Sequence, residues 1–152
     1  MNRIKIVLKG EPIAKQSVRA YIYQQHKWTK PQIRFHQNPD HVKRKEDYQK
    51  QILEQLPKDF KPFTKKVYLE QFEVMYKASK TIQRSKKKMK FLEEGGIIEK
   101  TTQPDLMDNL KKLPFDSMQG LIFKNDGLIC REYDTSKVYG LENKITIVLL
   151  GE

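Results

Sequence analysis

Cys130 is the only cysteine of the 152-residue chain, so no internal disulfide can form. Apolar runs of membrane-spanning length are missing, and the opening Met1-Asn2-Arg3-Ile4-Lys5-Ile6 lacks the apolar stretch of a signal peptide. These absences predict a cytoplasmic protein that does not enter a membrane. His26, His36 and His41 are not spaced as zinc ligands, either with one another or with the cysteine. The chain also carries no phosphate-cradling glycine loop and no G-x-S-x-G nucleophile motif, which argues against a small-molecule cofactor. Acidic residues are outnumbered as well. Only 19 aspartates and glutamates face 30 lysines and arginines, for a formal charge of +11.

An excess of this size, with a pI near 9.6, marks a surface built to meet a polyanion. Nucleic acid is the first candidate and an anionic membrane surface the second. The second lacks the basic amphipathic helix it would need. Solubility alone is the plain alternative. The length suits one domain, residues 1–152, with a core of its own.

Hydrophobic spacing outlines the elements. Ile4, Ile6 and Leu8 alternate with Lys5, Val7 and Lys9 as in a strand ending at Gly10. Residues 21–23 and 32–35 read as a pair of extended segments. Asn38-Pro39-Asp40 opens a helix whose stripe is Tyr48, Ile52 and Leu56 and which stops at Pro57. Residues 67–76 form a strand with Tyr68, Phe72, Val74 and Tyr76 on one face. The charge run over 77–90 is either a short helix ending near Gly95-Gly96 or a mobile loop. Its cations Arg84, Lys86, Lys87 and Lys88 are either a solvated face or a phosphate-binding arm.

Leu106, Leu110, Leu113 and Met118 predict a helix stopped by Gly120, with a kink at Pro114. Residues 121–124 read as a short strand and Asn125-Asp126-Gly127 as a hairpin turn. Strands close the chain at 128–133 and 145–150. The order predicts a mixed α/β or α+β domain, with helices packed on a mixed sheet.

Four of the chain's eight aspartates lie close together. Asp105, Asp108, Asp116 and Asp126 fall within a short stretch that also holds Lys112. Taken one at a time they have ordinary readings: Asp105 and Asp108 as helix caps, Asp126 as a turn residue, Lys112 as an i, i+4 partner of Asp108. Taken together they suit metal-assisted phosphodiester cleavage. Carboxylates hold a hard cation such as Mg2+, and a lysine four residues from Asp108 on a helix can meet the same phosphate.

The residues Asp108-Asn109-Leu110, Lys112, Asp116, Gly120 and Asn125-Asp126 resemble the motif of the RusA family of Holliday junction resolvases. That motif pairs P-D-x-D-N-L-x-K with a later aspartate, a glycine and a D-D pair. The front end, Gly10-Glu11-Pro12 followed by Lys15, Gln16, Ser17 and Arg19, is similar too, and so is Lys137-Val138-Tyr139-Gly140 before the last strand. The resemblance implies a RusA-like fold and a homodimeric, magnesium-dependent endonuclease that cuts four-way DNA junctions and is encoded by phages and prophages. It implies Asp105, Asp108 and Asp126 as metal ligands and Lys112 as the catalytic lysine. Lys15, Gln16, Arg19, Lys124, Lys137 and the 84–88 cations are the expected DNA contacts.

Three departures stand out. Leu106 and Met107 make two residues where the family has one between its first two aspartates, so Asp105 has to reach the site through a bulge or an altered helix start. Asn125 replaces the first acid of the D-D pair, and Pro114 replaces an ordinary apolar residue. The rival readings are a protein that binds branched DNA without cutting it and a metal-dependent nuclease of other structure specificity.

Overall fold

Ile4, Ile6 and Leu8 make the dry face of β1 (Asn2–Lys9). Two glutamines on α1 (Pro39–Gln55) satisfy part of its free edge, at Val7 and Lys9. The Val7 amide donates to Gln55 Oε1 at 2.9 Å, and Gln55 Nε2 donates back to the Val7 carbonyl at 2.8 Å. Gln51 repeats the exchange with Lys9. An unpaired strand edge is a template for aggregation, and these amides occupy it while tying α1 to the sheet.

The computed structural model describes residues 1–14 and 19–152, and of Arg19, Met107 and Asp108 the backbone alone. β4 (Val67–Lys77), β5 (Ile98–Glu99), β6 (Ile129–Gly140) and β7 (Lys144–Gly151) join β1 in one mixed sheet, ordered β1-β7-β4-β6-β5. β2 (Arg19–Tyr23) and β3 (Gln32–His36) form a separate antiparallel hairpin. The core lies between the sheet and the pair α1 and α4 (Lys112–Met118). Tyr48, Ile52, Leu113 and Met118 meet Ile6, Leu69, Phe72 and Ile147 there. A smaller apolar cluster, Ala78, Ile82 and Leu92, seats α2 (Lys80–Gln83) and α3 (Lys86–Glu93). The architecture is the expected mixed sheet packed by helices. Among the described residues no helix is long and apolar enough to cross a membrane.

β4 and β6 run parallel, so the chain must cross over between them. That crossover, residues 78–128, carries the whole acidic stretch.

Several local expectations hold. Asn38 caps α1, its side chain accepting from the Asp40 amide at 2.9 Å, and the helix gives way at Leu56 before Pro57. Gly120 sits at φ +82° just past α4, the left-handed conformation that ends helices.

Others are corrected. The single apolar face of β4 is split, because a register shift between Leu69 and Gln71 turns the strand over. Val67 and Leu69 are buried before the shift, Phe72 and Val74 after it. Tyr68 therefore lies on the opposite face, edge-on to Tyr133 with ring centroids 6.5 Å apart. The expected kink at Pro114 is displaced: the helix is re-set at Lys111 instead, and Pro114 falls in the first turn of α4, where a missing amide costs little. Residues 121–124 form no strand, since Phe123 makes only isolated bridges to Phe63 and Gln119. Asn125-Asp126-Gly127 is no hairpin turn either. Asp126–Leu128 is a 3-10 turn leading into β6, a parallel partner of β4.

Candidate active site

The extra residue between Asp105 and Asp108 is taken up in one wide turn. Leu106–Leu110 is a π turn, in which the Leu110 amide reaches back five residues to the Asp105 carbonyl at 3.2 Å. Such a turn holds one more residue than an α turn and recurs at functional sites. Leu110 returns fully buried to the core, and α4 follows in ordinary register after Lys111.

Asp105 stands at the N-cap position of this turn, exposed, and its side chain makes no capping hydrogen bond. Its ordinary reading as a cap therefore fails. Asp126 opens the 3-10 turn and is also exposed. Asp108 lies inside the π turn, and its side chain lies outside the described residues. Lys112 is the first residue of α4 and exposed. It is separated from Asp108 by the change of helix type at Lys111, so the two do not share one continuous α-helical face as expected. Asp116, one α-helical turn beyond Lys112, is half-buried.

β6 supplies the wall behind this stretch. Glu132 is in register with buried Leu69, and Lys137 with buried Val74, so both point to the helix-covered side of the sheet. Lys111 is buried there, its Nζ donating to the Glu132 carboxylate and lying 5.9 Å from the Phe72 ring centre. Lys137 Nζ donates to the carbonyls of Thr102 at 2.5 Å and Pro104 at 2.8 Å. Lys100 Nζ donates to Thr102 Oγ1 at 2.5 Å and to the Tyr139 hydroxyl at 3.3 Å. Hydrogen bonding from Thr102 first, and then from Lys100, lowers the Tyr139 pKa. Two lysines thus clamp the loop that delivers Asp105, which follows a cis Gln103–Pro104 bond.

Lys137 was expected against DNA, yet two of its three donors serve this loop. Spacing did not single out Lys100, Lys111 or Glu132. The one available signal for Lys111 was its place directly after Leu110 in an apolar stripe.

Of the other expected DNA contacts, Arg84 is the C-cap of α2, and Lys86, Lys87 and Lys88 form the first turn of α3; all four are exposed. Three cations at a helix N-terminus oppose its dipole, at a cost of about 0.3–1 kcal/mol each. A bound phosphate would offset that cost. Lys124 is exposed directly before Asn125 and Asp126. Lys15, Gln16 and the side chain of Arg19 lie outside the described residues.

The donors suit a hard divalent cation. Asp105 and Asp126 offer carboxylate oxygens, the ligand type magnesium takes while keeping several waters. Among the described residues no three histidine, cysteine, aspartate or glutamate side chains gather into a metal-binding group. The side chain of Asp108, the other acid of the motif, lies outside the described residues.

A family model described as Endodeoxyribonuclease RusA matches residues 10–149. No curated protein matches the chain.

Proposed function

Because the chain belongs to the RusA family of endodeoxyribonucleases, which resolve Holliday junctions, we propose that it is a magnesium-dependent resolvase that cuts four-way DNA junctions by paired, symmetric incisions. Two protomers related by a two-fold axis present one site to each of two opposed strands, the symmetry that paired incisions require. The gene belongs to a phage or prophage. The observation that supports this reading is the π turn, which takes in the extra residue after Asp105 and returns Leu110 to the core.

Asp105, Asp108 and Asp126 would hold the metal, which supplies an activated water and charge neutralisation at the scissile phosphate. Asn125 adds an amide oxygen beside Asp126 in place of a carboxylate. Lys112, exposed at the start of α4, offers its ammonium to the phosphate oxygen that gains charge in the transition state. Lys111, buried and bonded to the Glu132 carboxylate, supports it from behind. Lys124 and the 84–88 cations contact the DNA backbone, which sets affinity and its salt dependence but carries no sequence information. Lys15, Gln16 and Arg19 are proposed as further contacts on the strength of the motif alone.

The test is a synthetic four-way junction, a linear duplex and an RNA hairpin, each incubated with and without magnesium. Cleavage confined to the junction and dependent on the metal supports the reading. Equal cutting of all three substrates contradicts junction specificity. Binding without cutting removes the enzyme claim.

A further inference from the structure

Apart from Arg19, already proposed as a DNA contact, the hairpin β2–β3 takes no part in the site described above, and its composition is unlike the rest of the chain. None of the 19 acidic residues falls between Glu11 and Asp40, while Lys15, Arg19, Lys27, Lys30 and Arg34 do. The two faces of the hairpin differ. The pairs Ala20–Phe35 and Ile22–Ile33 share one face, Tyr21–Arg34 and Tyr23–Gln32 the other. Every residue of β3 is exposed, with Phe35 at 71% and Ile33 at 70%. On the opposite face the Arg34 guanidinium lies 3.7 Å from the Tyr23 ring centre.

The tip of the hairpin is hydrogen-bonded to itself. Gln24 Nε2 donates to the carbonyls of Lys27 at 3.2 Å and Thr29 at 2.8 Å. The Thr29 hydroxyl donates to the His26 carbonyl at 2.8 Å and accepts from the His26 amide at 3.1 Å. This small hydrogen-bonded loop presents Trp28 with 89% of its surface in solvent, the Lys27 ammonium 5.6 Å from its ring centre. A bare indole on a braced loop among cations is costly to expose unless something covers it.

Two kinds of partner could cover it, and charge decides between them. A second hairpin of the same sequence would bring lysines and arginines against one another with no carboxylate between them. DNA brings phosphates for the cations and, where stacking is interrupted, bare base faces for the aromatic tip.

We propose that the β2–β3 hairpin is a DNA-binding element whose Trp28 stacks on a base left unstacked at a branch point, with Lys27, Lys30 and Arg34 on the flanking phosphates. The choice of branched DNA rests on the resolvase reading above; the stacking role rests on the hairpin. A fully paired duplex offers no free base face away from its ends, so the hairpin supplies a preference for branched over linear DNA that phosphate contacts alone cannot give.

Trp28 is the only tryptophan of the chain, so the intact protein reports on it directly. The full chain is titrated, in EDTA, with a fluorescein-labelled four-way junction and with a linear duplex of the same composition. Binding is followed by anisotropy and indole emission in parallel. The junction is expected to quench the indole emission strongly, and the duplex to bind with much less quenching. Trp28→Ala should weaken junction binding by about ten- to a hundredfold, the range for loss of one stacked base, and Trp28→Phe should restore most of it. Because the position is exposed, both variants should keep the fold, which circular dichroism checks.

Unchanged emission at full junction occupancy, or equal affinity of Trp28→Ala and wild type, overturns the proposal. A change of emission with protein concentration alone, without DNA, also overturns it and assigns the hairpin to self-association. The resolvase reading is scored separately, by wild-type junction cleavage once magnesium is added. Cleavage without quenching removes only the hairpin proposal. Quenching without cleavage removes only the resolvase reading.

Discussion

The Leu110 amide donates to the Asp105 carbonyl five residues back, at 3.2 Å, and this bond closes the turn in which Leu106 and Met107 occupy the space that one residue fills in the family motif. The insertion is confined between an exposed aspartate and a fully buried leucine. Deleting Met107 should therefore convert the π turn to an α turn without moving Leu110 from the core. Junction cleavage should stay within about tenfold of wild type, a change of about 1.4 kcal/mol or less. A folded deletion variant that no longer cuts would show that the wide turn itself is required.

Adjacent lysines should behave differently. Lys111 is buried against Glu132, while Lys112 is exposed. Lys111→Ala removes a buried stem packed beside Phe72, along with its bond to a solvent-exposed carboxylate, and should cost about 1–3 kcal/mol of stability, read from urea denaturation midpoints. Lys112→Ala should leave that midpoint within about 0.5 kcal/mol and cut cleavage by about a hundredfold or more, with junction affinity nearly unchanged. If Lys112→Ala loses affinity and cleavage together, Lys112 is a binding residue.

Lys137 holds the carbonyls of Thr102 and Pro104, directly before Asp105. Lys137→Met keeps the stem and removes the donors. Cleavage should fall at saturating junction while the dissociation constant changes less than about threefold, because the account gives this side chain to the loop rather than to the DNA backbone. A large loss of affinity with a full cleavage rate at saturation would return Lys137 to the DNA contacts.

The Tyr76 hydroxyl is buried and has no hydrogen-bond partner among the described residues. Burial, and secondarily the charge of Glu11, push its pKa up to about 12. Since the folded pKa is raised, the native state keeps a proton that the unfolded chain releases near its ordinary value of about 10. The contribution is whole below pH 10 and is lost as pH rises towards 12. Tyr76→Phe should stabilise the protein by about 1 kcal/mol at neutral pH by removing the orphaned hydroxyl. Its advantage should widen at pH 11. An equal or smaller difference at pH 11, measured by urea midpoints, would contradict the assignment.

Much of this architecture was legible in the residues, and what was missed has physical causes. α1 was readable because Asn38, Pro39 and the Tyr48–Ile52–Leu56 stripe all act within one element. β4 was not, because its register shift depends on β7, which lies far away in sequence. The segment around Phe123 has a strand's composition, but its neighbours Phe63 and Gln119 offer single bridges and no ladder. Pro114 looked like a kink only on the assumption of an unbroken helix from Leu106. At the site, Asp105, Asp108, Lys112 and Asp126 came from their order along the chain. The bond from buried Lys111 to exposed Glu132 and the Lys100 and Lys137 clamps depend on β6 lying against the crossover, which no local spacing encodes.

The central claim, that the acidic stretch makes this chain a metal-dependent junction nuclease, is tested most directly by one comparison of wild type with Asp108→Asn. A four-way junction is labelled on each strand in turn and incubated with magnesium or with EDTA. The account predicts symmetric nicks in two opposed strands for wild type with magnesium only. It predicts cleavage reduced by about a hundredfold or more for Asp108→Asn, the scale of losing several kcal/mol of transition-state stabilisation, while that variant still binds the junction with wild-type affinity. Undiminished cleavage by Asp108→Asn, or no cleavage by the wild type under any divalent metal, would contradict it.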